Sequence, residues 1–536
     1  MLPPPPPPGA PPGPPPPGLR RAALLTGVAN LFGRLSGVAR EVLMAATFGA
    51  TPAADAFYVA TRVPNLLREL LVDGTLVNVS VPLFTEADSR EGPDAIWALA
   101  NALLGALMVI LGGVTLLFIV AARPIVVALA GGFVAAPEKL ELTVSLARVL
   151  SPLLAGMSVA SLFSAMLNVR GRFFLPALAP STLNVAAILA CLAAGPFERA
   201  TGLPGVLAVA GATTAAGAVT ALIQVPALYR DGFRLRPHLR GHPALGRALR
   251  FTGAALISIS AVQVNLLIES QLASRMGDGA VTTLVRGFYL LILPLNVVAG
   301  SVAIAGLSEV SRARAAGDDS RAREALTRAI QLNLFLVVPM AVGLGLLAEP
   351  LVRLFFERGA FTAADTLATA DVLRMYALAA LAICLHRVVV PLYFALGDPY
   401  LPMKIAVGVM VAKLPIALLC MDGLGLGLAG LPLSHAILVS AEVLILGVGL
   451  GIRVQGFSPG LGVSAARIAA ASGVMAGALL WARPILIPLG APGALLLCGV
   501  GAGVYGALAL ILRMDEARDV LARLRRRGPP PLPPRP

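Results

Sequence analysis

Fourteen apolar stretches of about 20 residues or more run through this 536-residue chain, and that is the length an α-helix needs to cross a hydrocarbon layer about 30 Å thick. They centre near Asn30, Leu70, Val109, Met157, Ala187, Thr214, Ser260, Pro294, Val338, Ala380, Val411, Val439, Met475 and Gly501. Lipid offers no partner to a bare N–H or C=O, so each stretch predicts a helix that satisfies its own backbone. Composition points the same way: 57% of residues are hydrophobic and 13% charged, where soluble domains carry roughly 25% charged. The expected class is an all-α polytopic membrane protein surrounded by membrane lipids.

A formal net charge of +14 would suit nucleic acid, but the basic residues sit in short loops with few aromatics between them, so no nucleic-acid partner is expected. Placing the N-terminus inside puts the basic clusters at 230–250, 312–328 and 513–527 on the cytoplasmic side, with about 25 Arg and Lys inside against about seven outside. Both termini are therefore expected to be cytoplasmic. No loop exceeds roughly 20 residues, which leaves no room for a catalytic domain outside the membrane and favours a transporter over an enzyme. Cys191, Cys384, Cys420 and Cys498 lie in apolar stretches without CxxC spacing and read as small core residues. His238, His242, His386 and His435 show no metal-ligand spacing. No metal or cofactor is expected, and the residues do not name an energy source, whether driving ion or membrane potential. Residues 3–17 and 528–536 are proline-rich and predict extended tails, and the N-terminal proline tract argues against a cleavable signal sequence.

The chain repeats itself. The stretch from Gly171 to Pro176, GRFFLP, returns as GDPYLP from Gly397 to Pro402, an offset of 226, and Arg148-Val-Leu returns as Arg374-Met-Tyr at the same offset. Pro124 pairs with Pro350, Gly232-Phe233 with Gly456-Phe457, and Arg62 with Arg286 at offsets of 224 to 226. Two six-helix units followed by two extra helices account for this order. Six is even, so both units enter the membrane from the same side and the repeats are parallel, an arrangement suited to alternating access. The expected division is a tail at 1–19, a first lobe at 20–233, a second lobe with its basic leading loop at 234–457, helices 13 and 14 at 458–513, and a basic tail at 514–536.

Charges inside the apolar stretches carry the functional signal. The first stretch holds Arg34, Arg40 and Glu41; the second holds Arg62, Arg68, Glu69 and Asp73, with Asp55 at its start; the eighth holds Arg286. Each charge costs about 2.5 to 3.5 kcal/mol at the bilayer centre, so these residues must face partners or a watery cavity. At about 100° per residue Arg34 and Glu41 lie within about 20° of one another, with Arg40 about 120° away. Structural ion pairs between the first two helices would explain some of them. An excess of planar, always-charged guanidinium groups around one cavity better suits a di-anionic, phosphate-bearing cargo.

The segment FGRLSGVAREVLMAATFGATPAADAFYVATRVPNLLRELLVDGTLVNVSVPLFTE, from Phe32 to Glu86, resembles the signature region of the MurJ (MviN) family of lipid II flippases in the MOP exporter superfamily. The resemblance implies transport of lipid II, an undecaprenyl-pyrophosphate-linked peptidoglycan precursor, across the bacterial cytoplasmic (inner) membrane for cell-wall synthesis, by a monomer. It assigns Arg34, Arg40, Arg68 and Arg286 to the cargo cavity, and Glu41, Asp55 and Asp73 as supporting acids; Arg62, by its place in the second apolar stretch, is expected to bind cargo with them. It also implies a lipid-tail groove at about residues 465–512.

The chain departs from that family around Arg286, where Val285 and Tyr289 stand in place of acids. The sodium site of some members joins an acid on helix 7, matched here by Glu269, to amide and acid groups on helix 11. Here Lys413 stands near the expected amide, so an internal Lys413–Glu269 pair is expected to occupy the ion's place; a lysine reaching for a headgroup is the other reading. A related exporter of another lipid-linked saccharide or of drugs would share the lobes. An enzyme acting on polyprenyl carriers would need metal-binding acids, for which Asp318-Asp319, in a solvated basic loop, is the candidate pair.

Overall fold

The computed structural model describes residues 17–68, 84, 93–238, 265–316, 318–395, 398, 400–453, 456–458 and 460–525. These residues are almost entirely helical. In the first half α1 (Pro17–Phe48), α2 (Pro52–Arg68) and α3 (Pro93–Val120) are followed by the short α4 (Ala122–Leu129). Next come α5 (Pro137–Leu150), α6 (Leu153–Val169), α7 (Phe174–Leu178), α8 (Ser181–Thr201), α9 (Gly205–Leu222) and α10 (Val225–Arg230). Prolines open α2, α3 and α5 because the first helical position needs no N–H and proline presets its φ. The second half holds α11 (265–273), α12 (Ala280–Ala315), α13 (Asp319–Leu346), α14 (Ala348–Phe356), α15 (Ala363–Ala395), α16 (Tyr400–Leu418) and α17 (Gly430–Arg453). Then follow α18 (Gly460–Leu486), α19 (Ala491–Ile511) and the amphipathic α20 (Asp515–Arg525).

The sequence repeat is also a repeat of structure. The helices α3, α4, α5 and α7 begin at Pro93, Ala122, Pro137 and Phe174, and α13, α14, α15 and α16 begin at Asp319, Ala348, Ala363 and Tyr400, each 226 residues later. Gly232 and Gly456 both adopt left-handed backbone, with φ of +96° and +97°, a conformation that side chains with a Cβ resist.

Ten helical segments among the described residues are long and apolar enough to cross a membrane, against the fourteen expected. The other four stretches centre near Asn30, Leu70, Ser260 and Pro294. Three of them hold the charges read as functional, in α1, α2 and α12, and two run into residues outside the description. Of the expected acids, Asp73 lies outside the described residues, as does Glu69, and Arg68 closes α2 with only its backbone described.

Helix directions place the turns 49–51, 131–136, 274–279 and 357–362 at one end of the molecule, called here the far end, and the first residues of α1 with α20 at the other. The largest core cluster draws from both halves, with Met44, Val59 and Phe133 from the first and Leu284, Phe356 and Phe361 from the second. In the first half α8 packs on α1 and α9, and α6 packs on α9. In the second half α15 packs on α12, α13 and α17. Contact between the halves runs through α2 with α12 and α1 with α14.

Candidate functional site: an arginine-bearing interior beneath a sealed end

The far end is closed by backbone meeting backbone. Ala360 N donates to Ala46 O at 2.8 Å. Gly359, at φ +59°, lies so close that a Cβ there would stand 2.2 Å from Ala46 O, and one on Gly49 would stand 2.3 Å from Ala360 O. No side chain larger than hydrogen fits either place without parting the halves.

Beside this contact Asp55, fully buried at the start of α2, takes four hydrogen bonds. Lys139 Nζ and Gly279 N donate to Oδ2 at 2.8 Å each. Thr282 N and Thr282 Oγ1 donate to Oδ1 at 2.8 and 2.7 Å. Lys139 also reaches Asp278 at 3.0 Å and stacks 4.3 Å over the Phe133 ring. A buried carboxylate survives when its lone pairs are filled and a cation stands beside it, and both conditions hold here. Asp55 thus bonds to a lysine, to Gly279 just before α12 and to Thr282 in its first turn, not to the arginines it was expected to support.

Beneath the seal the arginines are graded by burial. Arg34 is exposed, Arg40 keeps 35% of its side chain accessible, and Arg286 is fully buried. Arg40 Nη2 donates to Glu41 Oε1 at 2.7 Å, and Tyr58 Oη donates to Glu41 Oε2 at 2.7 Å. Glu41 therefore holds Arg40, not Arg34, although Arg34 shares its helical face: the buried carboxylate turns to the tyrosine of α2, and the long Arg40 side chain reaches across from the adjacent position. Arg286 donates Nη1 to Gly49 O at 2.9 Å and lies 4.9 Å from the Phe361 ring centre. Its Nε and Nη2 have no partner among the described residues. In this state Arg286 belongs to the underside of the seal and not to an open cavity wall.

Arg62 occupies a third place, donating Nη1 to Leu266 O at 2.8 Å across the halves. Near it the expected internal pair is formed: Lys413 Nζ lies 2.7 Å from Glu269 Oε1 and 3.1 Å from Ser434 Oγ, both ends buried. Further along the second half an apolar groove of about 420 Å³ opens between α12, α13, α18 and α19, lined by Leu290, Pro339, Met340, Met475, Leu479 and Tyr505 among others.

Sequence reasoning missed Tyr58, Lys139 and Asp278. A signal existed for Lys139, because the chain holds 42 basic residues and its lysines are Lys139, Lys404 and Lys413 alone. Two of those three are buried ion-pair partners.

A family profile described as "Lipid II flippase MurJ" matches residues 44–501. The chain belongs to the MurJ lipid II flippase family. A relative from Burkholderia cenocepacia, "Lipid II flippase MurJ", is 31% identical over 479 residues, which cover 86% of this chain and 90% of that one. The solved structure "Lipid II flippase MurJ, inward closed conformation" superposes with a TM-score of 0.76 at 22% identity, covering 93% of this chain and 100% of that one. An inward-facing multidrug transporter of the MATE family in the MOP superfamily gives 0.66 at 16% identity, covering 81% and 98%. Structures this distant in sequence establish the fold. The family establishes a multi-pass membrane protein and a transporter, not an enzyme.

Proposed function

We propose that this protein moves lipid II from the cytoplasmic to the outer leaflet by alternating access, as a monomer, with both termini cytoplasmic. The far end is then the outer face, and the structure is the state sealed against the outside. The two lobes, 20–233 and 234–457, rock about the seal. The observation that carries this reading is the gradient of arginines from exposed Arg34 through Arg40 to buried Arg286, rising from the termini side to the closed end. A pyrophosphate entering from the cytoplasm meets Arg34 first and then Arg40, and the resemblance adds Arg68 to the same cargo cavity. Binding there neutralises guanidinium groups that repel one another and so favours the state that closes inward. The apolar groove in 458–513 and its neighbours takes the polyprenyl tail, whose solvent is lipid on either leaflet.

Complementation of a flippase-depleted bacterium tests this. Arg34→Ala, Arg40→Ala and Arg68→Ala are expected to reach the membrane, to fail in supporting growth and to accumulate lipid-linked precursor. Normal growth on all three would refute the assignment.

Lys413 supplies from within the chain the positive charge that a sodium ion supplies in some relatives. Melting of the purified protein is expected to be indifferent to sodium, and Lys413→Ala to introduce a sodium response. A sodium response in the parent that Lys413→Ala leaves unchanged would sink the idea.

A further inference from the structure

A second cavity, also of about 420 Å³, lies between α2, α11, α12, α15, α16 and α17 and carries charged side chains on its wall. Lys413, Glu269 and His435 form one side of it, with His435 Nδ1 3.6 Å from the Glu269 oxygen that Lys413 holds. On another side His386 Nε2 of α15 stands 3.3 Å from Glu442 Oε1 of α17. Glu442 is 8% exposed. The neighbouring arginines hydrogen-bond elsewhere: Arg387 donates to Asn296 Oδ1 at 2.9 Å, and Arg62 to the Leu266 carbonyl. Tyr376 is the remaining titratable group on the wall, and α12 lines it with the uncharged Leu284, Val285 and Phe288.

Glu442 is thus a nearly buried acid whose hydrogen-bond partner among the described residues is the His386 imidazole. A carboxylate in such a place is held either by a protonated histidine or by its own proton. An imidazole and a carboxyl group 3.3 Å apart can hold one proton between them, which then belongs to the pair and not to either residue alone. Imidazole is the side chain whose ordinary titration falls near neutral pH.

Charge on the cavity wall gives this proton a consequence. Arg62, Arg387 and Lys413 contribute three positive charges, and Glu269 and Glu442 two negative ones. With both imidazoles neutral the wall carries +1, and one proton on the His386–Glu442 pair raises it to +2. An anion arriving at the adjoining arginines is therefore favoured by the proton, and by reciprocity the anion favours proton uptake.

We propose that His386 and Glu442 form an exchangeable-proton site in the second half, linked to occupation of the interior by an anion. The linkage rests on the functional reading above, whereas the proton site stands without it.

Calorimetric binding of a short-chain lipid II, whose pyrophosphate diester does not titrate near neutrality, to full-length protein in nanodiscs tests the linkage. Buffers of different ionisation enthalpy are expected to reveal uptake of a fraction of a proton per lipid bound. His386→Gln and Glu442→Gln are expected to bind the lipid without that uptake. Affinity of the parent is expected to fall about tenfold more than that of either variant between about pH 5.5 and 8.5, the scale of one unit charge about 10 Å away. Absence of uptake in the parent, or its persistence in both variants, overturns the linkage. Infrared difference spectra over the same pH range, without lipid, test the site alone. Carboxyl and imidazole bands lost in both variants support it, and unchanged bands overturn it. Failure of the lipid to bind at all would instead count against the flippase reading, with the spectra still deciding on the proton.

Discussion

The seal and the interior beneath it use the same residue types to opposite ends. At the seal Asp55 takes four hydrogen bonds and Lys139 bridges two acids and an aromatic ring. Less than 20 residues along α1 from that contact, Arg34 has no ion pair among the described residues, and Arg286 leaves two nitrogens without partners. Saturated charge holds a structure together, and surplus charge waits for a ligand. The same guanidinium that would be a fault in a structural core is a binding group in a transporter.

Removing one partner from the saturated side should have the largest effect. Asp55→Ala leaves the buried Lys139 ammonium with the exposed Asp278 carboxylate alone and should cost about 3 to 5 kcal/mol in the sealed state. A disulfide between Ala46→Cys and Ala360→Cys reports the seal, and its yield should drop in the Asp55→Ala background. An undiminished yield would erase the distinction between the two regions.

The surplus side should respond in the opposite direction. Arg286→Met removes a buried, half-satisfied cation and keeps apolar volume beside Phe361, so it should stabilise the sealed state by about 1 to 4 kcal/mol. Transport should nevertheless be lost. A lower melting temperature for this variant would mean that the bond from Arg286 to Gly49 holds the seal and that its charge is not surplus.

Smaller changes sharpen the boundary. Tyr58→Phe removes one hydrogen bond to buried Glu41 and should lower stability by about 1 to 2 kcal/mol, with Arg40 still paired. Asp278→Asn should cost about 0 to 1 kcal/mol, because the Asp278 side chain is 63% exposed and water screens its bond to Lys139. Thermal unfolding of the two variants side by side measures the difference between an interior partner and a rim partner.

Much of the fold was legible in the sequence because hydropathy and repeat spacing are local or periodic signals. The apolar stretches became helices wherever the structure describes their centres, and the offset of 226 read from GRFFLP and GDPYLP is also the offset between helix starts. The stretches that fell short as simple spans were those whose charges the sequence had marked as functional. Partnership was harder to see. Arg40, Glu41 and Tyr58 sit on adjacent helices, but Asp55 meets a lysine 84 residues away, and His386 meets Glu442 at a separation of 56. Pairing between helices depends on which faces the packing turns inward, and no periodicity within one helix records that. The Lys413–Glu269 pair was readable because a lysine in an arginine-rich chain stood where an uncharged side chain was expected.

The glycine contacts at Gly49 and Gly359 bear on how fast the molecule can cycle. A latch of long side chains must freeze their rotamers at each closure, at about 1.5 to 2 kcal/mol for a lysine or arginine. Alanine and glycine have no rotamers to freeze. At Ala46, Gly49, Gly359 and Ala360 re-closure involves no conformational search beyond the swing of the halves themselves, so the latch relocks as soon as the two main chains arrive.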